Sequence, residues 1–187
     1  MERKLRFLGI PGSLRRTSFN RAALHAAQEL VPLDVELEIF DLEGIPPFNE
    51  DDERTLPARV SELKAKIREA DAILFATPEY NYSIPGVLKN AIDWASRPYG
   101  DNAWDDKPVA VMGASVGATG TARAQYHLRQ TFIFLNMHPL NRPEVMISNA
   151  AQRFDANARL VDPTSRKLIE QLLEELAAWT RRLGKGG

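Results

Sequence analysis

GIPGSLRRTSFN, residues 9–20, lies between two segments of different period. The apolar run from Leu5 to Ile10 before it reads as a strand covered on both faces. A helical pattern follows from Asn20 to Leu30, with Ala23, Leu24, Ala27 and Leu30 on one face and Pro32 as its stop. The turn carries Gly12, the hydroxyls of Ser13, Thr17 and Ser18, the guanidinium groups of Arg15 and Arg16, and Asn20. A glycine-containing turn that opens a helix leaves backbone N–H groups at the positive end of the helix dipole. Hydroxyls and an arginine around them complete a pocket for a phosphate. The competing reading is an ordinary strand-to-helix turn with Ser18 or Asn20 as N-cap. A nucleotide-triphosphate loop would end in Gly-Lys-Ser/Thr, and the dinucleotide fingerprint would read G-x-G-x-x-G; neither is here. A phosphatase loop of this length needs a thiolate, and the chain has no cysteine. The turn therefore suits holding a phosphate, not transferring it.

Working outward, Val35 to Phe40 alternates and reads as a half-exposed edge strand. Residues 41–57 form a long polar connection with an acidic run at Glu50 to Glu53. It reads as solvated surface, the alternative being a rim in which Pro46, Pro47 and Phe48 supply rigid apolar area. Val60 to Ala70 is an amphipathic helix. Ala72 to Ala76 is a short buried strand, and the loop TPEYNYSIP follows it. Pro85 then opens a helix, Gly86 to Ser96, that is apolar over more than one stripe. Val109 to Ala114 is a fourth strand. It runs into a second glycine-rich loop, Ser115 to Gly120, and a helix from Thr121 to Asn136 ending in Phe-Ile-Phe-Leu. Glu144 to Ile147 is a fifth strand, and Thr164 to Leu183 a last helix. Trp94 and Trp179 lie on apolar helix faces, whereas Trp104 in a loop is a candidate for a site rim.

Five strands alternating with five helices predict an α/β domain with a parallel sheet. One doubly wound arrangement of such a sheet, with helices on both faces, has the order 2-1-3-4-5. In that order the first, third and fourth strands are neighbours, so their carboxyl-end loops converge at the topological switch point. One loop suits a phosphate. The other two, with prolines, tyrosines and close-approach glycines, suit a flat ring. Together they suit a nucleotide-like cofactor, and flavin mononucleotide (FMN) fits.

The composition excludes several classes. The 187 residues carry 24 Lys+Arg against 25 Asp+Glu, a net charge of -1, which gives no support to nucleic-acid or membrane-surface binding. Zero cysteines remove disulfides, cysteine-ligated zinc and iron–sulfur clusters. The three histidines lack metal-ligand spacing. No apolar run is long enough to span a membrane and no signal-peptide core opens the chain, so a cytoplasmic protein is expected.

GSLRRTSFNR, PEYNYSIPGVLKNAIDW, GASVGATGTARAQYHLRQ and PEVMISNAAQRFD, in this order, closely resemble the NADPH-dependent FMN reductase family of flavodoxin-like proteins, in particular its quinone and chromate reductase branch. The resemblance implies that residues 1–187 form a single flavodoxin-like FMN-binding domain whose five-stranded sheet has the order 2-1-3-4-5. It implies that Ser13, Arg15, Ser18, Phe19 and Asn20 serve the FMN phosphate end. Pro78, Glu79, Tyr80, Asn81 and Ser83 would flank the isoalloxazine, largely through backbone, and Ser115 and Gly117 would line it from the next loop. Arg123 is carried as an interface or site-edge residue. The implied reaction takes hydride from NADPH or NADH to FMN and then to quinone-like, azo, nitroaromatic, chromate or flavin acceptors, with no catalytic side chain. The implied assembly is a homodimer or homotetramer through helices 86–96 and 121–136. On that view a charge at Leu88 or Phe132 would split the oligomer. Two other functions compete: a flavodoxin-type electron carrier without NAD(P)H activity, which the near-neutral charge disfavours, and a flavin-free receiver-like module, which would need acids after the first strand.

Overall fold

A computed structural model describes residues 3–184. Its sheet is built on β1 (Leu5–Pro11), β2 (Val35–Ile39), β3 (Ala72–Ala76) and β4 (Pro108–Ala114). All pairings are parallel, and the order is β2-β1-β3-β4 followed by an edge made of two short pieces. The sheet is therefore the expected 2-1-3-4-5 flavodoxin-like arrangement. The fifth position differs in detail from the sequence reading. β5 (His138–Pro139) pairs with the beginning of β4, and β6 (Val145–Ile147) pairs with its end. Two prolines, Pro139 and Pro143, lack the N–H a continuous strand would donate, so the edge is interrupted between the pieces. A two-residue strand is too short to show any periodicity.

Alternation along the strands sorts the core into two layers. Phe7, Leu74 and Met112 face one side, where α1 (Phe19–Leu30) and α5 (Pro163–Gly184) cover them. Leu8, Ile10, Ile73, Phe75 and Val111 face the other, under α2 (Ala58–Glu69), α3 (Gly86–Ala95) and α4 (Ala122–Phe134). β2 shows the predicted edge pattern, with Glu36 and Glu38 exposed between buried Val35 and Leu37. α5 begins at Pro163, one residue earlier than its periodicity suggests. Asp162 accepts from the Ser165 N–H and hydroxyl at 2.8 and 2.7 Å, and those bonds, with Arg153, hold its carboxyl below the usual range.

Two further sequence readings are corrected. Trp104 is no rim residue: it is 1% exposed, its indole N–H bonds the Ile92 carbonyl at 3.0 Å, and its ring packs on Phe75. The connection 41–57 is solvated only in its second half. Its first half is fastened to α3, because the Pro46 carbonyl accepts from Asn90 and from the Trp94 indole, each at 2.8 Å. Asn90 also accepts from the Phe48 N–H at 2.7 Å, and Phe48 sits edge-on against Trp94. This docking accounts for the width of α3's apolar face from within the chain. No helix among the described residues is long and apolar enough to cross a membrane.

Candidate functional site

β1, β3 and β4 are adjacent, and the loops at their carboxyl ends meet. Gly12 donates its N–H to the Ala76 carbonyl at 2.8 Å, and Thr77 donates to Met112 at 3.0 Å. A Cβ on Gly12 would stand 3.1 Å from Pro78, so the first two loops abut there.

The first loop is a cradle of donors. Ser18 caps α1, its hydroxyl accepting from the N–H groups of Asn20 and Arg21 at 3.2 and 3.4 Å. The Ser13 hydroxyl accepts from the Arg15 N–H at 3.3 Å. Both serines are 4% exposed, and among the described residues both hydroxyl hydrogens are uncommitted. The N–H groups of Leu14, Arg16, Thr17 and Phe19 likewise find no acceptor among the described residues. Arg15 lies back over the turn, donating to the Thr17 carbonyl at 2.8 Å with its guanidinium 5.6 Å from the Phe19 ring. Phe19 in turn packs on Phe154. No acid occupies the first turn of α1, so its dipole is uncompensated. Such an array matches the donor set a phosphate requires.

Asn20 is placed differently from the serines. Its side-chain amide donates to the Ala114 carbonyl at 2.9 Å and accepts the Ala114 N–H at 2.8 Å, clamping the start of α1 to the end of β4. It is 2% exposed and faces the sheet.

In the second loop, Tyr80 and Ser83 exchange backbone hydrogen bonds at 3.0 and 2.9 Å around Asn81 and Tyr82. Both central residues are left-handed, φ 51° and 66°, the geometry of a type I′ turn. Asparagine tolerates this region. A tyrosine there costs roughly 1–2 kcal/mol, a strain that the surroundings must offset. Pro78 is buried, Tyr80 and Asn81 are exposed, and Ser83 faces His127 at 3.0 Å. The Glu79 carboxylate turns away from the loop mouth onto α4.

The third loop is tied to the turn after β6. Ser115 donates its N–H to Ile147 and accepts from Ala150, both at 3.0 Å, while Gly117 accepts from Asn149 at 3.2 Å. The Ser115 hydroxyl accepts the Gly117 N–H at 3.2 Å. Gly120 is left-handed, φ 61°, and a Cβ there would meet the Met146 backbone. Sequence reasoning missed Asn149 and Ala150 as supports for this rim. Their contribution lies in contacts across the fold, and no local motif announces it. Leu14, Tyr80, Tyr82 and Val116 supply exposed apolar surface from all three loops.

A cavity of about 700 Å³ opens far from this rim, at the amino-terminal ends of β1 and β4. Its charges already have partners: Arg3 pairs with Asp71, Arg181 with Asp34, and Lys107 bonds the Ala70 carbonyl at 2.6 Å. Burial holds the Lys107 ammonium below its usual range.

These loops and this sheet define a flavodoxin-like α/β protein with a phosphate-type cradle at the switch point and an apolar rim beside it. The sequence model of the NADPH-dependent FMN reductase family matches residues 5–152, and the chain belongs to that family. The chain is 56% identical over 184 residues to an NAD(P)H-dependent FMN reductase of Pseudomonas aeruginosa, covering 98% of this chain and 99% of that one. It is 44% identical over 177 residues to a 2-hydroxy-1,4-benzoquinone reductase of a Burkholderia species, covering 95% and 97%. Among solved structures it superposes on FerB, a flavoenzyme NAD(P)H:(acceptor) oxidoreductase of Paracoccus denitrificans, with a TM-score of 0.87 and 34% identity, covering 95% and 98%.

Proposed function

We propose that this chain, as one domain spanning residues 1–187, binds FMN at the three-loop rim and uses NAD(P)H to reduce flavin and quinone acceptors. The observation that carries the reading is the cradle of uncommitted donors at the start of α1, beside exposed aromatic and aliphatic side chains on the neighbouring loops. The N–H groups of Leu14, Arg16, Thr17 and Phe19, the Ser13 and Ser18 hydroxyls and Arg15 would hold the phosphate. The Tyr80–Ser83 turn and the Ser115–Gly117 segment would hold the ring. Asn20 and Glu79 would serve the site by fixing its walls. Bound FMN supplies the redox chemistry, taking hydride from the nicotinamide and passing it to the acceptor. The chain's part is to orient the ring and leave one face open, so no catalytic side chain is assigned. Relatives named as FMN and benzoquinone reductases support flavin and quinone acceptors. An open flavin face would also admit azo dyes, nitroaromatics or chromate.

The deciding experiment mixes the purified yellow protein anaerobically with NADPH or NADH, then adds a quinone. Bleaching followed by recovery is expected. A flavin that neither nicotinamide reduces would leave only an electron carrier. Arg15→Ala is expected to weaken FMN by about tenfold or more, because a hydrogen bond to a charged group contributes about 1.5–3 kcal/mol. Riboflavin, which lacks the phosphate, should bind the variant as it binds the wild type. Unchanged FMN affinity would contradict the phosphate assignment.

We also propose a homo-oligomer that buries the end of α4, in a cytoplasmic protein. Leu88 and Phe132 are not at its surface: both are fully buried within the chain, so a charge at either would unfold the protein. The same helix leaves Ile133 and Phe134 82% and 77% exposed. Phe134 lines a groove of about 400 Å³ between α3 and α4, together with Phe48 and Ile92. Phe134→Glu is expected to lower the sedimentation coefficient to that of a monomer without loss of melting temperature. An unaltered profile would place the interface elsewhere.

A further inference from the structure

The Glu79 side chain belongs to α4 as much as to its own loop. Only 6% exposed, its carboxylate accepts the N–H groups of Arg123 and Ala124 at 3.0 and 3.2 Å and pairs with the Arg123 guanidinium. α4 has no side-chain cap of its own and no acid in its first turn, so Glu79 caps it from the loop after β3. Arg123 then reaches both ring-side loops. Its guanidinium carbon lies 3.7 Å from the centroid of the Tyr82 ring, and it donates to the Thr119 hydroxyl at 3.1 Å. Its Nε is buried with no acceptor among the described residues, so the group is held by the pair and the stack. Tyr82 is the residue whose left-handed backbone an aromatic side chain rarely adopts, and the guanidinium face holds it there.

We propose that Glu79, Arg123 and Tyr82 form a positioning strut that fixes the Tyr80–Ser83 turn against the glycine-rich loop and so sets the width of the slot for the isoalloxazine ring. The inference rests on the flavin reading above. The three residues are positioning residues. The strut joins the loops after β3 and β4, whereas the phosphate donors lie on the loop after β1. Loss of the strut therefore loosens the ring and leaves phosphate recognition intact. The same cap closes the α4 N-terminus to anions, while the α1 N-terminus stays open, so the fold offers a phosphate one of the two termini.

The test titrates flavin-stripped full-length protein with FMN and with riboflavin, for wild type and for Arg123→Met, Glu79→Gln, Tyr82→Leu and Tyr82→Phe. Arg123→Met and Glu79→Gln are expected to weaken both ligands by the same factor, about tenfold, so that the FMN-to-riboflavin affinity ratio keeps its wild-type value. Tyr82→Leu removes the stack but leaves the α4 cap in place, and is expected to show the same loss in a folded protein. Tyr82→Phe keeps the stacked ring and should restore wild-type affinity. Wild-type affinity for both ligands in Arg123→Met and Tyr82→Leu overturns the strut while the flavin reading stands. A ratio that falls along with affinity overturns it too, because a general collapse would release the phosphate as well. A wild-type protein that binds neither ligand removes the flavin reading and the strut with it.

Discussion

Gly113→Ala is expected to melt about 6–12 °C below wild type and to bind FMN more weakly. Gly113 lies in β4, and a Cβ there would stand 2.0 Å from the Thr121 hydroxyl and 2.4 Å from the Thr77 carbonyl oxygen. Rotation of Thr121 can relieve the first contact. The second is with backbone, and that backbone is fixed: Thr77 donates its N–H to Met112 and its hydroxyl to the Pro78 carbonyl at 2.8 Å. Accommodating one methyl therefore moves the strand end that carries Pro78 and Glu79. Overpacking of this kind costs about 1–3 kcal/mol, and the backbone contact puts this site at the upper end. For a chain of this size, about 3 kcal/mol is a shift of about 6–12 °C. The affinity loss follows because both ring-side loops move together. Thermal denaturation and FMN titration read the two effects. A variant that melts within about 2 °C of wild type would show that the rim yields more readily than this geometry allows.

The second large effect is expected at Asn20. Asn20→Ala removes both partners of Ala114, whose N–H and carbonyl are buried and exchange hydrogen bonds with the Asn20 amide. Each buried backbone group left unpaired costs about 1–3 kcal/mol, so the pair costs about 2–6 kcal/mol. The substitution also uncouples the start of α1 from the end of β4, and FMN affinity should fall with stability. Asn20→Asp separates the two roles. It is nearly isosteric and can still accept the Ala114 N–H, but it opposes the Ala114 carbonyl and brings a negative charge toward the phosphate cradle. Asn20→Asp should therefore weaken FMN more than it weakens riboflavin, a ratio measured by titrating both. Equal losses would mean that Asn20 acts only through the fold.

The legible parts of this protein were those whose signal is local. Leu5 to Ile10 and Ala72 to Ala76 are apolar runs bounded by polar or turn residues, and a buried parallel strand needs little more. Ser13, Arg15 and Ser18 fall in one turn, so a donor cradle at a helix start could be read from adjacent residues. Glu79, Asn20 and Trp104 were harder for one reason: each has its partner far along the chain. Glu79 finds Arg123, Asn20 finds Ala114, and Trp104 finds Ile92 and Phe75. The docking of residues 45–48 on Asn90 and Trp94 was hidden in the same way. Leu88 and Phe132 misled because a helix that is apolar on several sides looks alike whether its own chain or another copy covers it.

By itself the sequence determined the element order, the parallel sheet and the loops that would carry a site. Hydrophobic period and turn chemistry act over a few residues, so each element and each loop can be read from its own neighbours. Only the tertiary structure decided which side chains face a ligand and which hold the loops in place. That division depends on contacts between residues some 40 to 90 positions apart, such as Glu79 with Arg123 and Asn20 with Ala114, whose distances are set by the packing of helices on the sheet.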